Sequence, residues 1–328
     1  MFANKFTTWF SWQYLLPMLA CVMLAGCFPS EGPVETDPTE ESAAIGNPAA
    51  AETTPVASTG SVQLQALEWR NIGPFNGGRG TTVVGHPTDK MVFYFGHGSG
   101  GLWKTEDAGT TWEPVGAGQF RYASVGAMAI SEQNPDIMYV GLGEPQMRQS
   151  VSWGDGMYKS VDGGATWQHI GLGDSLHIAR VRVHPTNPDI VYVASLGHAF
   201  GPSEQRGVFR TTDGGENWER ILYKNDGTGA IDLVMSPEDP DLLFAALWEF
   251  ERKAWGAKTG GPDSGIWRSR DGGDTWEEIS RNEGMPEGMM GRVGLTMSAD
   301  DANRVYALVD SESQQGLYRS DDKGCLLY

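Results

Sequence analysis

Thr105-Glu106-Asp107-Ala108-Gly109-Thr110-Thr111-Trp112, Ser160-Val161-Asp162-Gly163-Gly164-Ala165-Thr166-Trp167, Thr211-Thr212-Asp213-Gly214-Gly215-Glu216-Asn217-Trp218 and Ser269-Arg270-Asp271-Gly272-Gly273-Asp274-Thr275-Trp276 are four copies of one pattern. A fifth opens at Ser320-Asp321-Asp322-Lys323-Gly324 and breaks off. The aspartates follow one another at intervals of 55, 51, 58 and 51 residues. A recurring period of this length marks a repeat architecture, so the fold is read from one unit before any single residue is interpreted.

The unit from Leu176 to Leu222 shows the plan. Residues 177–183 alternate apolar and polar as a strand does, and His184-Pro-Thr-Asn-Pro-Asp189 reads as a turn. A β-branched run follows at 190–194, and two further short strands at 207–211 and 218–222. Four short antiparallel strands per repeat, with no helical period, describe a β-propeller blade. The fold class is therefore all-β, a propeller of four-stranded blades with five visible and the last incomplete. An aromatic recurs in the second strand as Tyr94, Tyr139, Tyr192, Phe244 and Tyr306, a position expected to pack between blades.

The repeated aspartate falls on the turn between third and fourth strands. Asp107, Asp162, Asp213, Asp271 and Asp322 are expected to accept turn N–H groups, with the glycines supplying a left-handed backbone conformation. Trp112, Trp167, Trp218 and Trp276 are then expected to re-enter the core as structural residues. The spacing contains no Asp-x-Asp-x-Asp-Gly calcium loop, so neither a metal nor a cofactor is expected. The stretch 67–73 reads like an outer strand without its three partners, which would complete the last blade. Cys325-Leu326-Leu327-Tyr328 stands where a polar residue and tryptophan should follow, which predicts a chain cut short inside its fifth blade.

The N-terminus carries a different message. Residues 1–27 hold one charged side chain, Lys5, and an apolar run that ends in Leu24-Ala25-Gly26-Cys27, the pattern of a lipoprotein signal peptide with lipidation expected at Cys27. Residues 28–65 contain six acidic residues, no Lys or Arg and no apolar period, and read as a disordered Pro/Ala/Thr-rich tether ahead of a propeller at 66–328. Cleavage would move the net charge from -18 to -19, which excludes nucleic acid as an expected partner and leaves the lipid as the membrane contact. The expected location is the cell envelope, with the outer membrane favoured by Phe28 after the cysteine. Cys325 is then left without a disulfide partner.

The repeated boxes resemble the BNR or Asp-box repeats of sialidases, xyloglucan-degrading glycoside hydrolases and the sortilin propeller. Trp69-Arg-Asn-Ile-Gly-Pro74, Gly77-Gly-Arg79, Val140-Gly-Leu-Gly-Glu144, His177-Ile-Ala-Arg180, Leu196-Gly-His198-Ala-Phe-Gly201 and Gly229-Ala-Ile-Asp232-Leu-Val234 more closely resemble bacterial exported proteins. These carry a sortilin N-terminal, BNR-like domain and are often labelled glycosyl hydrolases; the resemblance spans 66–324. Members are usually longer, which implies a truncated member here. In the xyloglucan hydrolases a catalytic carboxylate sits in a first-blade Arg-Thr-Asp-x-Gly-Gly segment. The matching stretch, His97-Gly98-Ser99-Gly100-Gly101, has Gly98 at that position, and the partner carboxylate would come from a second propeller. Glycosidases need two carboxyl groups about 5–9.5 Å apart. The sialidase Arg-Ile-Pro motif is missing, and so is the Lys-Ser/Thr of a phosphate-binding loop.

Sites on propellers gather on the face opposite the Asp turns. The long segments there, 141–156, 195–207 and 247–265, carry Glu144, Arg148, Trp153, His198, Trp248, Glu249, Arg252 and Trp255. Asp155, Phe200, Arg206 and Phe250 lie beside them, and Arg79 and His177 enter first strands near the channel mouth. Aromatic and polar side chains on long loops suit glycan or polypeptide ligands; they equally suit packing of the loops themselves. The expected function is a lipid-anchored binding or scaffolding propeller, with a xyloglucanase-like glycoside hydrolase as the alternative.

Overall fold

The computed structural model describes residues 79–325. Cys27, the tether and the candidate closing strand at 67–73 lie outside the described residues. Four sheets repeat one antiparallel topology in chain order. The first contains β1 (Gly80–Gly85), β2 (Phe93–His97), β3 (Gly101–Thr105) and β4 (Glu113–Val115). The second contains β5 (Val125–Ile130), β6 (Met138–Leu142), β7 (Met157–Ser160) and β8 (Gln168–His169), and the third β9 (Ile178–His184), β10 (Asn187–Ser195), β11 (Gly207–Thr211) and β12 (Glu219–Leu222). In the fourth, β13 (Thr228–Met235) and β14 (Leu243–Glu249) are followed by a separate hairpin, β15 (Glu251–Lys253) and β16 (Gly256–Lys258), before β17 (Gly265–Ser269) and β18 (Glu277–Glu278). The fifth described sheet has three strands, β19 (Met290–Met297), β20 (Val305–Ser311) and β21 (Gly316–Ser320). First strands of successive sheets touch one another, β1 to β5 to β9 to β13 to β19, which is the arrangement of propeller blades.

Apolar second strands form the core. β6 and β14 are buried almost throughout because both faces pack against a neighbouring blade. Tyr94, Tyr139, Tyr192 and Phe244 are all at most 3 % exposed, whereas Tyr306 is half-buried. Two of the hydroxyls bond to the next blade, Tyr139 to the Pro188 carbonyl at 3.0 Å and Tyr192 to the Gly272 carbonyl at 2.8 Å.

The repeated turns are closed by local hydrogen bonds. The opening hydroxyl of each donates to the aspartate, at 2.8 Å for Thr105–Asp107 and Ser160–Asp162 and 2.7 Å for Thr211–Asp213 and Ser269–Asp271. It accepts the N–H of the glycine four residues on, at 2.8 Å in Gly109 and 3.0 Å in Gly215. The aspartate in turn accepts an N–H four residues ahead, from Thr111 at 2.8 Å and Thr275 at 2.9 Å. In the fifth turn the Asp322 carboxylate is reached by Cys325, one residue earlier. These bonds hold the Asp107 and Asp271 carboxyls down to about 2, the Thr111 backbone and the Thr275 hydroxyl contributing most. Among the described residues no group of three or more His, Cys, Asp or Glu is placed to hold a metal ion.

Several sequence expectations are corrected. The tryptophans are not uniformly buried: Trp167 is 9 % exposed and Trp112 40 %, with Trp218 and Trp276 between. Trp167 and Trp218 are each covered by the connection preceding their blade. Trp167 sits against Phe120, 5.3 Å between ring centroids, and Trp218 donates to the Ile170 carbonyl at 2.7 Å. Each outer strand also starts after its tryptophan rather than at it. The turn at 184–189 is shorter than its two prolines imply, because β10 begins at Asn187 and absorbs Pro188 in an irregular stretch of pairing. Segment 247–265 is not a plain loop, since it holds the β15–β16 hairpin.

Candidate functional site

The sheet ends opposite the aspartate turns bring blades one and two together around a buried ion pair. Arg79 precedes β1, and Glu144 follows β6 through Gly143, whose φ of +92° and contact with the Leu176 carbonyl exclude a side chain. The Glu144 carboxylate is fully buried and held by both forks of the Arg79 guanidinium, Nε to Oε1 and Nη2 to Oε2, the latter at 2.7 Å. The Ser152 N–H reaches Oε2 at 3.4 Å, and Arg79 also donates to the Ser150 carbonyl at 3.1 Å. The hydrogen bonds to Glu144 raise the Arg79 guanidinium above its ordinary pKa. A carboxylate with both oxygens committed to a guanidinium is poorly placed to act as a general acid.

Gly98 lies directly against this pair. A Cβ there would stand 3.3 Å from the Glu144 Cδ. An aspartate at 98 would therefore set a second negative charge on Glu144, and glycine leaves the pair with Arg79 undisturbed.

Above the pair is a cavity of about 290 Å3 lined by Ser99, Tyr122, Ala123, Ser124, Val151, Ser152 and Trp153. Blade one supplies Ser99, the connection between the blades supplies 122–124, and the β6–β7 segment supplies 151–153. Its wall is tied to the ion pair: the Glu144 N–H donates to the Ser152 carbonyl at 3.0 Å, and Ser124 Oγ donates to the same oxygen at 3.3 Å. Trp153 is 52 % exposed, Tyr122 is half-buried beneath the Arg121 guanidinium, and three serines stand between. An exposed aromatic face beside hydroxyls suits the apolar CH face and hydroxyl edge of a sugar ring.

The remaining sequence-predicted residues do not converge on this cavity. His177 is fully buried just before β9, and among the described residues neither ring nitrogen has a hydrogen-bond partner. Burial pushes its pKa down to about 4, against the opposing influence of the Glu144 backbone. His198 is engaged with the Asp174 carbonyl at 3.1 Å. The buried Arg206 donates to the carbonyls of Gly227, His198 and Gly201, which pins the segment 197–206. Trp248 is 5 % exposed, stacked on Phe250 at 4.4 Å, and donates to the Thr259 carbonyl. Glu249 is ion-paired with Lys258, and the Arg252 N–H donates to the Ala199 carbonyl at 2.7 Å. These contacts pack blade-four and blade-three loops. Arg148 is exposed, and Trp255, at 86 % exposure, lies between β15 and β16.

Tyr122, Ser99 and Ser124 escaped the sequence reading because they lie on short connections. The signal available was the aromatic pair Phe120 and Tyr122 between two repeats, of which Phe120 packs on Trp167 and leaves Tyr122 for the cavity.

No family model matches the chain. The chain is 25 % identical over 233 residues to a xyloglucanase of a Paenibacillus species, covering 63 % of this chain and 21 % of that protein. It is 25 % identical over 271 residues to the xyloglucanase Xgh74A of Acetivibrio thermocellus, covering 74 % of this chain and 30 % of that one. The chain thus spans less than a third of the length of these curated relatives. Among solved structures, an ancestral GH74 enzyme superposes with a TM-score of 0.56 at 18 % identity, over 74 % of this chain and 30 % of that one. The GH74 xyloglucanase from Xanthomonas campestris gives 0.53 at 19 %, over 74 % and 36 %. The likenesses support a propeller related to glycosyl hydrolases.

Proposed function

We propose that the protein is an exported, lipid-anchored propeller that binds glycan in the cavity between blades one and two without cleaving it. The observation that carries this reading is the pairing of an open, aromatic-walled cavity with a carboxylate beneath it that Arg79 already occupies. The likeness to xyloglucanases supports a neutral, xyloglucan-type polysaccharide as ligand. The alternative, a glycoside hydrolase of the xyloglucanase type, draws on the same likeness and needs two carboxylates, neither of which this cavity lining supplies.

Calorimetric titration of the full chain with xyloglucan oligosaccharides tests the site. Trp153→Ala is expected to weaken binding at least about tenfold, since a central aromatic platform carries a large share of such an interface. Trp255→Ala, at an exposed tryptophan of the β15–β16 hairpin outside the cavity lining, is expected to leave binding unchanged. Equal affinities for wild type and Trp153→Ala would show that glycan does not bind in this cavity. Anchoring is tested separately: Cys27→Ser is expected to abolish fatty-acid labelling, and labelling that persists would refute it.

A further inference from the structure

Two motifs quoted from the sequence, His177-Ile-Ala-Arg180 and Gly229-Ala-Ile-Asp232, meet in the structure away from the glycan cavity. Arg180 Nε, on β9, donates to Asp232 Oδ1, on β13, at 2.8 Å. The same carboxylate accepts the Leu233 N–H at 2.9 Å and, through Oδ2, the Leu295 N–H of β19 at 3.0 Å. Asp232 therefore accepts from three donors on three successive blades.

Two more arginines share this place without an acid of their own. Arg182 lies two residues beyond Arg180 on the same face of β9, and Arg292 lies on β19. Pairing is irregular beside both the acid and one of the arginines: it shifts between Ala230 and Asp232 on β13, and again between Met290 and Val293 on β19, which leaves Arg292 in the bulge. Among the described residues neither Arg182 nor Arg292 forms an ion pair. Arg182 donates once, to the Val181 carbonyl at 3.3 Å, and the Arg292 guanidinium lies 6.0 Å from the Trp248 ring centroid. Each guanidinium has five N–H donors, so most remain unspent. Burial, reinforced by the Arg180 charge, pushes both below their ordinary pKa, as expected where like charges crowd with one carboxylate between them. Both are half-buried, and 33 % of the Arg180 side chain is exposed.

Three guanidiniums against one carboxylate make a local positive excess in a chain of net charge -18. We propose that Arg180, Arg182 and Arg292 form an oxyanion site on the inner strands of three consecutive blades, which takes a carboxylate, sulfate or phosphate group. The planar fork of arginine matches such groups two oxygens at a time, and a bound anion would relieve the crowding that Asp232 alone leaves. The group reaches the site as a free anion or as the charged substituent of an acidic sugar. Its position on blades three to five makes it independent of the cavity on blades one and two.

The test compares thermal melting of the full chain in sodium chloride, sodium sulfate and sodium glucuronate at matched ionic strength, for wild type and R182Q/R292Q. At tens of millimolar anion, the wild-type melting point is expected to rise by about 2 °C or more beyond the rise in the variant. Excluded-ion stabilisation by sulfate acts on both proteins alike and cancels in the comparison. A differential rise with glucuronate assigns the site to acidic sugars, and one with sulfate alone to inorganic anions. Equal rises in both proteins, or none in wild type, overturn the proposal. Should the glutamine variant fail to fold, R182K/R292K keeps the charges but loses the forks. A reduced differential in that variant supports the site, and an undiminished one overturns it.

Discussion

Arg79→Ala is expected to lower stability by about 3–5 kcal/mol, because it leaves Glu144 ionised, fully buried and without its guanidinium. The side chain removed is itself 28 % exposed, so little of the loss comes from packing. A second change distinguishes orphaned charge from lost contact. Replacing both partners, Arg79→Met with Glu144→Met, is expected to recover most of the loss, since no buried charge then remains. The pH dependence carries the same information. An orphaned buried carboxylate has a folded pKa raised above its unfolded value, so its penalty is full at neutral pH and fades as pH falls through that raised pKa. Urea unfolding at neutral and mildly acidic pH should therefore show the Arg79→Ala deficit shrinking in acid. A deficit that is constant with pH, or a double variant as weak as the single, would mean that the pair contributes by shape alone.

Trp167→Ala is expected to cost about 3–5 kcal/mol, as a large buried aromatic replaced by a methyl leaves a cavity that the sheet cannot close. Trp167 is 9 % exposed, donates from its indole to the Gly164 carbonyl at 2.9 Å, and receives Phe120 on its ring. The Trp167 N–H is also fixed by Gln119 Oε1 at 2.8 Å. For a domain of this size each kcal/mol moves the melting point by about 2–4 °C, so a drop of about 10 °C is expected. Trp112→Ala, at a side chain 40 % exposed, is expected to cost about 1 kcal/mol. Equal melting of the two variants would show that the position in the repeat, rather than the contact with the preceding connection, sets the contribution.

The turns were legible in the sequence because their bonds are local. Asp162 needs only Ser160 and Thr166, both inside the pattern, to close its turn. The alternation of 177–183 likewise predicted β9 to within one residue at each end. What stayed hidden depends on contacts between repeats. Trp112 and Trp167 occupy the same place in the pattern yet differ in burial, and Trp167 is covered by Phe120 and Gln119 of the preceding connection, which the pattern does not contain. Arg79 and Glu144 are 65 residues apart, and no local period connects them. Of the residues drawn from the long loops, Trp153 lies on the cavity, while His198, Arg206 and Trp248 bond to their own or adjoining segments. A residue on a long loop is available to a ligand only when backbone carbonyls do not already use it, and sequence does not show those carbonyls.

Glycan binding beside a carboxylate already committed to Arg79 leaves no acid for cleavage, so release of reducing ends from xyloglucan is the decisive measurement. The protein is incubated with polysaccharide at a concentration where titration shows the cavity filled, and reducing ends are followed over time. No release above that of the heat-denatured protein is expected, with the sugar recovered intact. Release that survives repurification and disappears in Glu144→Gln would contradict it and make Glu144 a catalytic acid despite its pairing.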